Sequence, residues 1–300
     1  MKYKSIFNLC LLTILLPVVL VSCDDWTEME IHDSQVNGFK EQNPQEYAAY
    51  TQKLHAYKAS KHAVVYARLD NAPEVSTSEK DFLRALPDSI DIVTMRNAGR
   101  LSEYDREDMK LVRADYGTKV LYYIDCTDKD KLNVSIAAAV EAVRAGTFDG
   151  ITLGSEASAV DAAVVKSFVD ALGQTTCLLV FEGTPSLLPE AYRSLFNYFV
   201  FDISDASDEY DIETSVLYAT GYGKVAPERL LLAVTPDGTL TDYNGVTRNA
   251  IGGAAYSALN METPLGGIAI YNISADYYDT DIIYKQTRGG IQFLNPASAH

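Results

Sequence analysis

The sequence predicts a single-domain α/β protein built as a closed (β/α)8 barrel, the TIM barrel. Apolar strand-like runs alternate with helical patterns, the alternation gives eight strands, and it fills about 240 residues, a length typical of this fold. An open doubly wound sheet is the alternative. It is disfavoured because no glycine-rich phosphate loop follows the first predicted strand.

Most predicted strands are continuous apolar runs without strict alternation, such as residues 120–124 and 177–181. Runs of this kind are typical of strands that are covered on both faces. The predicted strands are 63–69, 90–95, 119–124, 148–153, 176–181, 198–203, 230–235 and 267–272. The predicted helices between them are 79–86, 103–116, 129–145, 159–172, 189–196, 212–222 and 250–259.

Three segments are predicted along the chain. Residues 1–22 form a signal segment, in which two lysines precede an apolar run that is too short and too near the terminus for a permanent membrane span. Residues 23–43 are acidic and aperiodic, which predicts a tether. Residues 44–300 form the barrel together with an extra N-terminal helix, which begins at Pro44 and carries tyrosines at helical spacing.

The signal segment closes on Leu20-Val21-Ser22-Cys23, which resembles a bacterial lipobox. The resemblance implies that Cys23 is acylated and tethers a soluble body to a membrane. An ordinary signal peptide with an incidental cysteine is the alternative.

Composition limits the partners. The net charge of −16 argues against nucleic acid and anionic lipid as partners and leaves neutral ligands such as sugars open. Cys126 and Cys177 are interpreted as small buried side chains, with a disulfide as the alternative. The scattered histidines show no ligand spacing, so neither a metal nor a cofactor is predicted.

Residues 148–156, with the sequence FDGITLGSE, form the stretch that carries the chemical prediction. A helical pattern before it stops at Gly146 and another follows it, so the strand belongs to a parallel sheet. Glu156 is therefore expected at the carboxyl end of the strand, where α/β folds place their active sites.

This stretch resembles the strand-four signature of glycoside hydrolase family 18, the chitinases and endo-β-N-acetylglucosaminidases, which reads Asp-Gly-x-Asp-x-Asp-x-Glu. Asp149, Gly150 and Glu156 match the signature, whereas Thr152 and Gly154 replace its second and third aspartates. Residues 86–93 and 117–121 are similar to the second and third strand entries of lipid-anchored family 18 proteins from Bacteroidetes.

The resemblance implies a role for each matched position. Glu156 would protonate the leaving oxygen, the 2-acetamido oxygen of the substrate would attack the anomeric carbon, and Asp149 would support the motif structurally. The family balances the charge on the acetamide with the aspartate two residues before the glutamate, which is Gly154 here. Loss of such a group costs on the order of a hundred- to a thousand-fold in rate, so little or no hydrolysis is expected.

Polar and aromatic residues at the predicted strand ends are candidates for glycan binding. Tyr123 and Tyr271 either contact sugar or fill the barrel, and Tyr271 stands near the position of the family's strand-eight tryptophan. Glu182 or Asp237 is either a second carboxylate for Glu156 or a solvated or capping residue. The substrate-binding candidates are Arg68, Arg96, Tyr123, Glu182, Asp202, Asp237, Tyr271 and Asn272.

Together these patterns predict a lipid-anchored, family 18-like protein that binds N-acetylglucosamine-containing glycans. The membrane contact would be the lipid on Cys23, on the cell surface or the periplasmic face of the outer membrane. By resemblance, a partner would be an outer-membrane glycan import complex. An active endo-β-N-acetylglucosaminidase or other glycosidase with a rearranged second carboxylate is the main alternative, and an interaction scaffold that binds no sugar is the other.

Overall fold

The computed structural model describes residues 39–155 and 158–296. The chain divides into two compact units, residues 1–48 and residues 49–300. Helices α1 (Phe39–Gln42) and α2 (Pro44–Ala59) come first, and the boundary between the units falls within α2. In the described part of the chain, no helix combines the length and apolarity that a membrane crossing requires.

Eight parallel strands close into a barrel, which confirms the predicted fold and excludes the open sheet. The first strand pairs with both the second and the last, so the sheet has no free edge. The barrel strands are β1 (Val64–Leu69), β2 (Ile92–Met95), β3 (Lys119–Asp125), β4 (Gly150–Gly154), β5 (Leu178–Glu182), β6 (Tyr198–Asp202), β7 (Leu230–Val234) and β10 (Gly267–Ile270).

Helices follow the strands on the outside of the barrel. Ser102 starts α3 with a capping box, in which its hydroxyl accepts the Asp105 N–H and the Asp105 carboxylate accepts the Ser102 N–H. The helices after α2 are α3 (Glu103–Asp115), α4 (Leu132–Arg144), α5 (Ala162–Leu172), α6 (Glu209–Gly221), α7 (Ala250–Asn260) and α8 (Lys285–Leu294).

Two predicted helices are wrong. Residues 79–86 form two separate 3-10 turns, Glu79–Asp81 and Leu83–Ala85, because Phe82 between them is extended and breaks the hydrogen-bond ladder. Residues 189–196 contain the 3-10 segment Glu190–Leu195. Segments this short gain too few hydrogen bonds to offset helix nucleation, so tertiary contacts decide their conformation.

Strands β8 (Thr239–Thr241) and β9 (Thr247–Asn249) and helices α1 and α8 were not predicted, and α1 lies within the predicted tether at 23–43. The two strands form an antiparallel hairpin after β7. Each strand has only three residues and alternates too briefly to give a period. Helix α8 has apolar residues on one face only, and Gly289 and Gly290 in its middle weaken the helical signal.

The core has two layers. Side chains that point into the barrel form the inner layer, which includes Tyr66, Leu121, Val180, Val200 and Leu231. The other side chains of the same strands pack against the helices in a larger outer layer. Because both faces of each strand are covered, apolar residues occupy nearly every position, as the sequence indicated.

The same type of hydrogen bond recurs at the amino end of the barrel. In three strand pairs, a side-chain oxygen just before one strand accepts a backbone N–H from the preceding strand, at 2.8 to 3.0 Å. Each bond satisfies a buried backbone donor beyond the regular ladder. The acceptor and donor pairs are Asp91 with Val65, Asp149 with Val120, and Asn197 with Leu179.

Both described cysteines are free and partly buried. Burial raises the pKa of the Cys126 thiol to about 12 and also raises the pKa of the Cys177 thiol. Neither thiol is therefore activated as a nucleophile near neutral pH.

Candidate functional site

The two ends of the strand-four motif have different positions. Asp149 lies at the amino end of the barrel, where its carboxylate accepts the Val120 N–H at 3.0 Å and pairs with the Arg113 guanidinium at 2.9 Å. It is on the opposite end of β4 from the expected chemistry, so it supports the fold and does not contact a substrate at the barrel mouth. Glu156 lies outside the described residues.

The space above Gly154 is filled by an aromatic ring. A Cβ placed on Gly154 would lie 2.5 Å from Cζ and 2.6 Å from Cε2 of Tyr123, and it would also overlap the tyrosine hydroxyl. Such separations are far below van der Waals contact. Tyr123 belongs to the neighbouring strand β3, and its register partner in β4 is Thr152, two residues before Gly154. Its ring can therefore reach the space above Gly154. Gly154 and Tyr123 therefore fit as a pair: the ring takes the volume that a side chain at position 154 would need.

The second replaced motif position belongs to a buried polar network inside the barrel. The Thr152 hydroxyl lies 2.5 Å from the Thr94 hydroxyl and 3.4 Å from the Tyr66 hydroxyl. All three residues are fully buried. The threonine hydroxyls share a hydrogen bond where the family signature has an aspartate, so the centre of the barrel carries no charge at position 152.

Glu182, at the end of β5, is the buried carboxylate of the site. Its Oε1 accepts the Tyr66 hydroxyl at 2.5 Å, and its Oε2 lies 3.3 Å from Nη1 of Arg68. Burial raises the pKa of Glu182, and the Arg68 guanidinium and the Tyr66 hydroxyl offset part of this rise. Burial and the same carboxylate raise the pKa of Tyr66 well above its ordinary value, so the phenol stays protonated and donates.

Two arginines stack on the two tyrosines at the carboxyl end of the barrel. The Arg68 guanidinium carbon lies 3.7 Å from the ring centroid of Tyr271, and that of Arg96 lies 4.4 Å from the ring centroid of Tyr123. Both tyrosines are buried, whereas the Arg68 and Arg96 side chains keep 18% and 28% of their surface exposed. A stacked guanidinium is held in one plane, and the arginines are the more exposed members of the two pairs.

The other substrate-binding candidates are exposed at strand ends. The Asp202 carboxylate accepts the backbone N–H of Ser204 at 2.8 Å, which closes the turn after β6. Asp237 is exposed in the turn between β7 and β8. Asn272 follows β10 with a positive φ of 48°, a conformation that asparagine tolerates better than most residues.

The structure thus brings together five of the eight predicted ligand-binding residues, namely Arg68, Arg96, Tyr123, Glu182 and Tyr271. Burial is the main cause that raises the pKa of Tyr271 well above its ordinary value, and the Glu182 and Asp202 carboxylates add to it. Within residues 39–155 and 158–296, no group of three or more His, Cys, Asp or Glu side chains is arranged to hold a metal ion.

Sequence reasoning missed the role of two residues at the site. Thr94 is the one hydroxyl residue in the otherwise apolar strand Ile92–Met95. A polar residue in such a strand indicates a buried hydrogen bond, which the structure shows between Thr94 and Thr152. The Tyr66 hydroxyl bonds to Glu182, a residue 116 positions away in the chain, and no local pattern predicts such a contact.

Comparison with protein families gives a match over residues 27–143, to a family described as glycoside hydrolase family 18, BT1044-like. No curated protein is significantly similar in sequence to the chain. The matched residues end before residues 148–156, so this similarity does not depend on the strand-four motif.

Solved structures share the fold of the chain. A selenomethionine form of BT1044 with one glutamate replaced by glutamine aligns with a TM-score of 0.69 at 19% identity, covering 86% of this chain and 95% of that one. A chitinase from Bacteroides thetaiotaomicron aligns with a TM-score of 0.57 at 12% identity, over 80% and 99% of the two chains. A family 18 chitinase from Pseudoalteromonas aurantia gives 0.55 at 12% identity, over 77% and 100%.

Proposed function

We propose that the chain binds N-acetylglucosamine-containing glycans at the carboxyl end of its barrel and has lost hydrolysis; the match of residues 27–143 to a glycoside hydrolase family 18 model and the fold shared with family 18 structures support this proposal. The observation that carries the proposal is the Tyr123 ring in the space above Gly154. That space is where the resemblance requires a carboxylate to hold the substrate acetamide.

The chemistry of the resembled family explains why this matters. The acetamide oxygen attacks the anomeric carbon. The acetamide group thereby gains positive charge, and a neighbouring carboxylate must balance that charge. At Gly154 there is only backbone, and a tyrosine hydroxyl carries no charge at neutral pH because burial and the Glu182 carboxylate raise the pKa of Tyr123. Loss of such a preorganised partner costs on the order of a hundred- to a thousand-fold in rate.

Glu182 does not replace the missing carboxylate. Its side chain is only 2% exposed, and both of its oxygens already have partners, in Tyr66 and Arg68. A carboxylate that is enclosed in this way reaches a ligand only through the residue it holds. Its role in the proposal is to position the Arg68 guanidinium on the ring of Tyr271.

Glycan binding requires fewer precisely placed groups than glycan hydrolysis does. The guanidinium groups of Arg68 and Arg96 are planar arrays of hydrogen-bond donors, and the tyrosines beneath them limit their motion. Sugar hydroxyls and an acetamide carbonyl accept hydrogen bonds from such donors. The exposed Asp202, Asp237 and Asn272 add acceptors and an amide around the same mouth.

The proposal includes the membrane anchor that the sequence predicts. Acylation of Cys23 would hold the barrel at the outer membrane, on the cell surface or on the periplasmic face, through the tether at 23–43. A glycan-binding barrel in that position would serve a glycan import complex by capturing its ligand. Metabolic labelling with a fatty acid, compared between the natural chain and Cys23→Ala, tests the anchor.

A second candidate, an active glycosidase, is supported by the retention of Glu156 at the signature position. One pair of measurements separates the two functions. We expect calorimetry with chitobiose-core glycans to detect binding, and we expect no glycan release from high-mannose or complex N-glycoproteins. Arg96→Ala should weaken binding at least tenfold, because it removes a donor that Tyr123 holds in place.

Either of two results would overturn the proposal. Glycan release that disappears in Glu156→Gln would establish the glycosidase. Absence of binding to every chitobiose-core glycan would leave the interaction scaffold as the remaining candidate.

A further inference from the structure

A cleft on the outside of the barrel shares no lining residue with the cluster at the barrel mouth. It has a volume of about 620 Å³ and lies between strand β9, the start of helix α7 and helix α8. This volume falls in the range of small-molecule sites. Its lining includes Arg248, Asn249, Asp279, Lys285, Gln286 and Phe293, with three glycines.

The charges of the cleft are neutralised by neighbours. Nη1 of Arg248 pairs with Asp242 at 2.6 Å, and Nζ of Lys285 pairs with Asp279 at 3.1 Å and Asp281 at 2.8 Å. Two cations therefore face three carboxylates, and no net positive charge remains to attract an anion. The cleft suits a neutral polar ligand better than a phosphate or a carboxylate.

The cleft also offers an exposed aromatic face. Phe293 keeps 46% of its surface exposed although it belongs to a helix that packs on the barrel. Its ring lies 6.3 Å from the ring of Tyr256, and the Arg248 guanidinium covers Tyr256 at 4.2 Å. The apolar ring is thus bordered by planar hydrogen-bonding groups, the combination by which proteins hold sugar rings.

One polar atom at the cleft needs a partner. Oε1 of Gln286 is buried and accepts no hydrogen bond from the described residues. A buried acceptor without a donor costs about 1 to 3 kcal/mol. This oxygen is closed off from solvent, so a ligand hydroxyl would satisfy it only if the Gln286 amide turned toward the cleft, and hydroxyls are what a saccharide supplies.

We propose that this cleft is a second saccharide-binding site, for one or two neutral sugar units, formed by the Phe293 ring and the side chains of Arg248, Asn249 and Gln286. A second site of this kind lets one chain hold two parts of a glycan or two neighbouring chains. The inference does not depend on ligand binding or catalysis at the barrel mouth.

Gly289 provides the test, because it lines the cleft and a Cβ on it would meet no atom within 4 Å. Gly289→Tyr would add a ring at the cleft from a Cβ that meets no neighbour, and Gly289→Ala is the matched control. Saturation-transfer NMR with mannose, galactose and N-acetylglucosamine reports binding, and it is recorded on the full mature chain carrying Arg96→Ala so that binding at the barrel mouth does not contribute to the signal. We expect a signal from at least one sugar, retained in Gly289→Ala and lost in Gly289→Tyr.

Phe293→Ala serves as a second variant, since Phe293 is largely exposed and its loss does not open the core. It should reduce the same signal, and a melting temperature no lower than that of the natural chain would show that each variant is folded. Calorimetry at the barrel mouth should be unaffected by either change. The proposal is overturned if no sugar gives a signal, or if the signal persists at full strength in both Gly289→Tyr and Phe293→Ala.

Discussion

The two ends of the barrel use similar polar side chains for different purposes. At the amino end, Asp91, Asp149 and Asn197 each hold a backbone N–H of the neighbouring strand. At the carboxyl end, Glu182 holds side chains, namely the Tyr66 hydroxyl and the Arg68 guanidinium. A carboxylate that binds backbone stabilises any barrel, whereas one that orients an arginine at the mouth can shape a ligand site.

The comparison also explains the partly matched motif. Asp149 lies at the amino end, where its loss would break a contact between strands. Thr152 and Gly154, which replace the second and third aspartates of the resembled signature, lie toward the carboxyl end, where the Thr152 hydroxyl pairs with Thr94 and the Tyr123 ring fills the space above Gly154. The first residue of the motif therefore stabilises the amino end of the barrel, whereas its replaced positions lie toward the carboxyl end.

The largest expected effect is at Glu182. Glu182→Ala would leave a buried phenol and a partly buried guanidinium without their acceptor, and we expect it to lower the free energy of unfolding by about 4 kcal/mol. Glu182→Gln keeps one acceptor and the shape, so its loss should be clearly smaller. Urea denaturation measures both. Equal losses for the two variants would show that the negative charge of Glu182, and not its shape or its retained acceptor, is the stabilising feature.

The next effect is at the amino end. Asp149→Ala removes the acceptor of the Val120 N–H and the partner of Arg113, and we expect a loss of about 3 kcal/mol in unfolding free energy. Asp149→Asn keeps an oxygen for the N–H and should lose about 1 kcal/mol. Denaturation with urea gives these values. If Asp149→Asn costs as much as Asp149→Ala, the ion pair with Arg113 and not the backbone contact is the important one.

A smaller effect tests the fit between Gly154 and Tyr123. Gly154→Ala places a Cβ against the tyrosine ring, and overpacking of this kind should cost about 2 kcal/mol. In a Tyr123→Leu background the same change should cost much less, because the ring is gone. A double-mutant cycle measures the coupling. Additive effects would mean that the ring does not fill the space above Gly154.

The smallest effect is a dependence on pH at the amino end. His62 lies 3.0 Å from Asp91, and this hydrogen bond is the main reason that the pKa of His62 is raised above 6.5 in the folded protein. The folded state therefore holds the proton more tightly than the unfolded state. The resulting stability is fully present below pH 6.5 and is lost as the pH rises through the folded pKa.

Thermal unfolding of the natural chain and His62→Gln, compared at a series of pH values, measures this contribution. The series should stop short of the pKa of Lys58, which burial lowers to about 8. The natural chain should lose stability relative to His62→Gln as the pH rises. A difference that does not change with pH would remove the proposed link between His62 and Asp91.

The sequence by itself determined the barrel and the place of its polar residues. Buried runs such as 120–124 specify parallel strands, and their order along the chain puts Arg68, Tyr123, Glu182 and Asp202 at one end. These features follow from local hydrophobicity and chain direction, which are encoded in neighbouring residues.

Only the tertiary structure decided what each polar residue does. Tyr123 faces Gly154, Tyr66 meets Glu182, and Phe293 comes beside Arg248 and Gln286, all across long sequence separations. The closure of the barrel sets these contacts through strand register and side-chain volume, which no local pattern records. The sequence showed that an aspartate was missing at position 154, and the fold showed that its space was taken.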